Sequence, residues 1–216
     1  MKEYWNRRFS IEEKIWGDSP SKTAEYALNL FLKNKVHKIL IPGAGYGRNS
    51  KLFTNHGLNV TGIEISKIAF NMAKKHDPKT KFFKGSVLDM PFNTGLYDVI
   101  YCHNTLYLFL RKERFIFIKK CYDQLKINGF VFFTVFSEKD KSFGKGKEFE
   151  KNTFESKSGR PTHYFSEDDL IEHFKDFSVI KTGLMEESEN HGELGPHTHI
   201  LRFIFAQKRA YDTEMI

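Results

Sequence analysis

Val36-His37-Lys38-Ile39-Leu40-Ile41-Pro42-Gly43-Ala44-Gly45-Tyr46-Gly47 is the stretch that decides the fold. A short apolar run stops at three glycines on alternate positions. Seventeen residues after Gly47, a second apolar run ends at Glu64. A buried strand that stops in glycines lets a nucleotide-like ligand approach the backbone, because glycine has no Cβ to hold it off. An acid at the end of the next strand can accept hydrogen bonds from ribose hydroxyls. Together they predict a bound adenosine derivative on an α/β fold.

A dinucleotide site would need G-x-G-x-x-G, whose last glycine packs helix against strand beside a pyrophosphate. That position is Arg48 here, and the third glycine comes one residue early. The G-x-G-x-G form resembles motif I of class I S-adenosylmethionine (SAM) methyltransferases. In that family the loop passes beneath the amino-acid part and ribose of the cofactor, and no pyrophosphate is present.

The rest of the chain alternates. Apolar runs at about 38–41, 59–63, 81–84, 97–102 and 130–136 are separated by helical patterns at about 48–56, 67–75 and 111–125. Such alternation predicts a parallel, doubly wound sheet. The Asn128-Gly129 pair reads as the stop of the third of these helices. An earlier helix at 23–32 carries Ala24, Ala27, Leu28 and Phe31 on one face, with Ser21 as its N-cap. A helix follows Ser166, and strands at about 177–182 and 199–206 end the chain. A reversed pair after five parallel strands resembles the class I methyltransferase sheet. The expected fold is therefore Rossmann-like, a seven-stranded mostly parallel sheet with an antiparallel last strand and helices on both faces. One domain over residues 1–216 is expected. Residues 1–23 would form an aromatic lid, and 137–165 and 183–198 would be loops on the substrate side.

The motifs carry the chemistry. Under the resemblance, Gly43, Ala44, Gly45 and Arg48 belong to the cofactor loop, Glu64 takes the ribose hydroxyls, and Ile65 packs on adenine. Gly85-Ser86-Val87-Leu88-Asp89-Met90-Pro91-Phe92 resembles the family's third motif. It implies that Ser86, Val87 and Leu88 meet the adenine edge. Ser86 stands where an acid is usual, which makes Asp89 a candidate acceptor for the adenine amino group. Tyr97-Asp98-Val99-Ile100-Tyr101-Cys102-His103-Asn104 resembles the fourth motif. Asp98 is expected to be structural, Cys102 and His103 to lie over the cofactor, and His103 to be a candidate base.

One departure narrows the branch. Many class I enzymes have an acid two residues before the first motif I glycine, and Ile41 stands there. Its absence resembles the thiopurine methyltransferase and tellurite-resistance branch, in which N-terminal aromatic residues help close over the cofactor. Tyr4, Trp5, Arg8 and Trp16 fit such a lid. An aromatic face near a sulfonium contributes up to ~2 kcal/mol of cation–π stabilisation when dry. His163-Tyr164-Phe165-Ser166-Glu167, His191-Gly192-Glu193-Leu194, Leu201-Arg202-Phe203 and Ala206-Gln207-Lys208 resemble the C-terminal part of the same branch.

His191, His197 and His199 are candidates to line the substrate pocket with Arg160 and His163, and His197 and His199 are also candidate bases. Pro196-His197-Thr198-His199 places two imidazoles on one strand face, but no cysteine or clear acid completes a ligand set, so no metal site is expected.

Bulk composition bounds the remainder. The 216 residues suit one domain, and 40 % hydrophobic residues with 22 Phe supply its core. The formal net charge of +7 raises nucleic acid as a partner. The lysines are scattered, however, and the densest basic stretch, Lys139 to Lys151, contains Asp140, Glu148 and Glu150. A solvated surface fits better than a nucleic-acid site. The two cysteines lie in apolar stretches and form no disulfide or zinc pattern, which predicts a reducing cytoplasm. Neither a secretory leader nor a membrane span is expected.

These readings converge on methyl transfer from SAM to a small-molecule acceptor, by a monomer or homodimer. A soft sulfur, selenium or tellurium nucleophile follows from the branch resemblance. An O- or N-methyltransferase, a nucleotide-dependent oxidoreductase and a non-catalytic SAM-binding module remain alternatives.

Overall fold

Ile39 and Ile41 face one side of the first strand and Leu40 the other, and each side meets its own buried apolar cluster. That two-sided burial dictates a sheet covered by helices on both faces. In the computed structural model, which describes residues 1–93, 95–191 and 195–209, the elements run α1 (Lys2–Glu12), α2 (Lys22–Lys33), β1 (Lys38–Pro42), α3 (Arg48–Asn55), β2 (Asn59–Glu64), α4 (Lys67–His76) and β3 (Lys81–Lys84). Then come β4 (Tyr97–His103), α5 (Arg111–Gln124), β5 (Leu125–Phe136), β6 (Glu148–Glu150), β7 (Thr153–Lys157), β8 (Arg160–His163), α6 (Glu167–His173), β9 (Phe177–Asn190) and β10 (Pro196–Lys208).

The main sheet has seven strands in the order β3-β2-β1-β4-β5-β10-β9. The first five are parallel, and β10 runs antiparallel to both β5 and β9. This is the expected sheet. Strand order reverses between β1 and β4, and a crevice opens at such a switch point beyond the strands' carboxyl ends.

Local chemistry explains the helix starts. Ser21, Ser66 and Ser166 each accept a hydrogen bond from the backbone N–H three residues on. On α2 the predicted stripe of Ala24, Ala27, Leu28 and Phe31 is buried against the Ile39 side of the sheet. Asp98 accepts from the backbone N–H groups of His37 and Lys38 and pairs with Lys126, so it ties β4 to the start of β1 as expected.

Three expectations need correction. Helix α5 ends at Gln124, not at Asn128-Gly129. Leu125 already pairs with Tyr97, and Asn128, at φ 61°, bends the chain so that Phe130 lies opposite Val99. The stretch 137–165 is not a plain loop, since β6, β7 and β8 form their own antiparallel sheet within it. Residues 183–190 and 196–198 belong to the long β9–β10 ribbon, with Glu189 opposite His197 and Asn190 opposite Pro196. Their polarity suggested a loop, but an antiparallel ribbon beyond the core has no need of apolar residues. Gly192, Glu193 and Leu194 lie outside the described residues. No helix among the described residues is long and apolar enough to cross a membrane.

Candidate functional site

The carboxyl ends of β1, β2 and β4 open into a cavity of about 860 Å³. Its floor is the glycine loop. Gly43 and Ala44 both donate backbone hydrogen bonds to the Ile63 carbonyl at 2.9 Å, which ties the loop to the end of β2. Gly43 has φ 73°, and a Cβ there would lie 2.1 Å from Thr105 Oγ1, so this position requires glycine.

Glu64 lines the cavity beside this loop. Its Oε2 accepts from Gly45 N–H at 2.8 Å and its Oε1 from Ser66 N–H at 2.7 Å. Burial pushes its carboxyl up from the ordinary range, against the pull of those N–H donors. Each carboxylate oxygen has two lone pairs, so both oxygens can still accept from a diol. Ile65, Ser86, Val87 and Leu88 line the adjoining wall. Ser86 Oγ accepts from Leu88 N–H and caps a short 3-10 turn at Val87–Asp89. Asp89 is exposed and does not line the cavity, which removes it as the acceptor for an adenine amino group.

The N-terminal segment covers this floor. Trp5, Arg8 and Trp16 line the cavity. Trp16 stacks on Tyr46 at 6.2 Å, and its carbonyl accepts from the Arg48 guanidinium at 3.1 Å. The glycine loop therefore supplies the residues that hold Trp16 in place. Asn6, which sequence reasoning missed, accepts from Ser66 Oγ and Lys67 N–H and fastens α1 to α4. Tyr4 lies off the cavity and instead meets the Arg160 guanidinium, 5.6 Å from its ring.

At the end of β4 the side chains alternate. Tyr101 and His103 face the cavity, whereas Cys102 faces the opposite core with Ile100, fully buried. Cys102 therefore cannot touch a cofactor in this cavity, and burial pushes its thiol up to about 12. His103 Nδ1 meets the hydroxyls of Thr23 and Thr134, both at 3.0 Å, and Nε2 meets the Asn104 amide nitrogen at 3.3 Å. Burial, with Arg48 nearby, pushes its imidazole down to about 3.

The far wall is built by the ribbon and the small sheet. Glu189, His191, His197 and His199 line it, with Arg160 and Tyr107. His199 Nδ1 bonds Asp140 Oδ2 at 3.0 Å, and Asp140 also accepts from Ile200 N–H at 2.8 Å. Burial works against ionisation of Asp140, but the His199 and Ser142 hydrogen bonds outweigh it and hold the carboxyl at about 2. His163, expected beside these residues, is elsewhere. Its Nδ1 meets Thr153 Oγ1 and its Nε2 meets Asp169 Oδ2, both at 2.7 Å, and it is 3 % exposed. It joins a buried network in which Arg114 bonds His173 and Glu150. Glu189 was missed because Glu186-Glu187-Ser188-Glu189-Asn190 reads as a polar loop. Alternate spacing of Glu187, Glu189 and His191 against His197 and His199 was the available signal.

Residues 40–133 match a protein family described as a methyltransferase domain. No curated protein matches the chain. Among solved structures, one reported for the conversion of a disulfide bond into a thioacetal group during echinomycin biosynthesis is similar at TM-score 0.76 and 14% identity, covering 99% of this chain and 93% of that one. The 1,6-didemethyltoxoflavin-N1-methyltransferase of Burkholderia thailandensis, with 1,6-didemethyltoxoflavin and S-adenosylhomocysteine bound, follows at TM-score 0.71 and 17% identity, covering 97% and 87%. TehB of Haemophilus influenzae is similar at TM-score 0.66 and 16% identity, covering 86% and 62%. TehB is thus one of several neighbours rather than a separate match. Residues 40–133 carry a methyltransferase domain match, and the chain around them has the fold of solved SAM-dependent methyltransferases.

Proposed function

We propose that the protein transfers a methyl group from SAM to a small-molecule acceptor, with a soft sulfur, selenium or tellurium atom as nucleophile. The observation that carries the cofactor assignment is Glu64, bonded to Gly45 N–H at the switch point, with Arg48 where a dinucleotide site would need glycine. The acid can take the ribose diol while the glycine loop passes beneath the sulfonium end. Trp5 and Trp16 supply aromatic faces there.

Methyl transfer is an in-line displacement, and the sulfonium is already an activated leaving group. Positioning therefore does most of the catalytic work. His103 makes a poor base. Its Nδ1 meets two threonine hydroxyls, its Nε2 lone pair accepts from Asn104, and its pKa lies far below neutral. A soft nucleophile needs no such base, which favours that acceptor class. A neighbouring structure reported for the conversion of a disulfide bond into a thioacetal group agrees with it. The second reading, O- or N-methyl transfer, is favoured by one contact. The Asp140–His199 pair on the cavity wall has the acid–imidazole arrangement of a general base.

Calorimetry with S-adenosylhomocysteine and with NADH tests the cofactor. Binding of the first and not the second is expected, and the reverse would replace methyl transfer with hydride transfer. Turnover against thiols, selenite, tellurite, phenols and amines separates the acceptor classes. Cofactor binding with no turnover across that panel would favour a non-catalytic SAM-binding module.

A further inference from the structure

We propose that Glu189, His191 and His197 form a site for a divalent cation of the zinc class on the acceptor wall of the cavity. One ligand atom from each lies within 4.8 Å of the other two. Zinc bonds of about 2.0–2.2 Å in a tetrahedron hold ligand atoms roughly 3.3–3.6 Å apart, so the widest separation must close by up to about 1 Å while the Glu189–His191 contact at 2.5 Å opens by a similar amount. The ribbon already sets them up for that. Glu189 and His197 are register partners across β9 and β10, and the His191 and His197 rings lie 4.8 Å apart.

The donor set fits the metal. Two imidazoles and one carboxylate, with a fourth position open to a cavity, is the pattern of open zinc sites. His197 Nδ1 contacts the Gly195 carbonyl at 2.7 Å. A carbonyl only accepts, so Nδ1 carries the hydrogen and Nε2 offers its lone pair. His191 Nε2 contacts Glu189 Oε2 at 2.5 Å. A cation would take the place of the proton shared there. Arg8, which donates to His191 Nδ1 at 3.3 Å, would then keep its Glu12 partner and give up His191. Loading the site thus reaches the lid helix. His199 is not part of the set, because the ligand atoms that lie within 4.8 Å of one another come from Glu189, His191 and His197.

The open position would hold the acceptor, a role that rests on the methyl-transfer reading above. A thiol bound there loses its proton to solvent and becomes a metal-bound thiolate. Its sulfur lone pair attacks the methyl carbon of SAM. The bond from that carbon to the sulfonium breaks, its electron pair stays with S-adenosylhomocysteine, and the thioether leaves the cation.

The test titrates metal-stripped full-length protein with Zn²⁺ against a chromophoric chelator, and with Co²⁺ by visible absorption. One equivalent should bind, with the intense d–d bands of four-coordinate cobalt. Glu189→Gln, which keeps the side-chain shape, and His197→Ala should each weaken binding by more than about tenfold. His56→Ala, at an exposed position on a remote helix end, should leave it unchanged. Absence of saturable binding, or equal affinity in Glu189→Gln, His197→Ala and the parent, overturns the site. S-adenosylhomocysteine calorimetry on the same samples separates the two readings. Cofactor binding without zinc binding removes the metal site alone, and zinc binding without cofactor binding removes the methyl-transfer reading alone. Adding a small thiol to the cobalt form should produce a sulfur-to-metal charge-transfer band, and no band removes the acceptor role.

Discussion

Glu64 Oε2 accepts a hydrogen bond from Gly45 N–H at 2.8 Å, so the acid at the end of β2 and the loop at the end of β1 are one unit. Changing the acid should therefore affect both ligand and loop. A hydrogen bond to a charged group contributes about 1.5–3 kcal/mol. Glu64→Ala should weaken S-adenosylhomocysteine binding by roughly 10- to 100-fold, and Glu64→Gln, which keeps one acceptor, by less. Calorimetry on both variants checks the order.

Gly43→Ala should cost about 3 kcal/mol or more in urea unfolding, because a Cβ would meet Thr105 Oγ1 at a positive φ. Adding Thr105→Ala removes that contact and should leave mainly the backbone strain, about 1–2 kcal/mol. A double-mutant cycle with no coupling would contradict this contact.

Both tryptophans of the chain, Trp5 and Trp16, line the cavity. Cofactor binding should therefore change intrinsic tryptophan emission, and Trp16→Phe should remove much of the change. Unaltered emission during a saturating titration would place the ligand elsewhere.

Acid should destabilise the protein from about pH 6.5 downward. His103 has a folded pKa of about 3, below its unfolded value near 6.5, and burial lowers His163 as well. Between the two values the unfolded chain binds more protons, so stability is full above about pH 6.5 and falls as pH drops towards the folded value. Each such histidine contributes a slope of up to about 1.4 kcal/mol per pH unit. His103→Gln should flatten the fall in urea midpoint between pH 6.5 and 4. An unchanged slope would mean that His103 protonates as readily in the folded chain.

His163→Gln should lower stability by roughly 1–3 kcal/mol, because Asp169 and Thr153 lose a buried partner. Cofactor affinity should stay within about twofold, since His163 does not line the cavity. A selective loss of binding or turnover would return His163 to the site.

Features set by near neighbours were legible in the sequence. The serine caps, the strand that stops at Gly43 and the acid at Glu64 each follow from a few adjacent residues. Features set by facing were not. Cys102 and His103 are consecutive, and only the packing of α5 against one face decides which of them reaches the cavity. His163 looked like a pocket residue because histidine suits both a site and a buried network, and the partners that decide, Asp169 and Thr153, become neighbours only on folding. The full length of the β9–β10 ribbon is not legible in the sequence because its far end crosses no core and so carries no apolar alternation. That gap hid Glu189, and with it the partner that His197 meets across the ribbon.

The reversal of β10 has a further consequence. The parallel strands β1, β2, β4 and β5 deliver their outgoing ends to the cavity, whereas β10 delivers its incoming end, beyond the last residue of β5 that it pairs, Phe136 opposite Leu201. The ribbon above that point can be lengthened or trimmed in two-residue steps, which keep each side chain on its own face. Such a change would exchange the groups overhanging the cavity without shifting any core pairing. Under the proposed methyl transfer, acceptor choice and cofactor binding would then rest on parts of the chain that can evolve at separate rates.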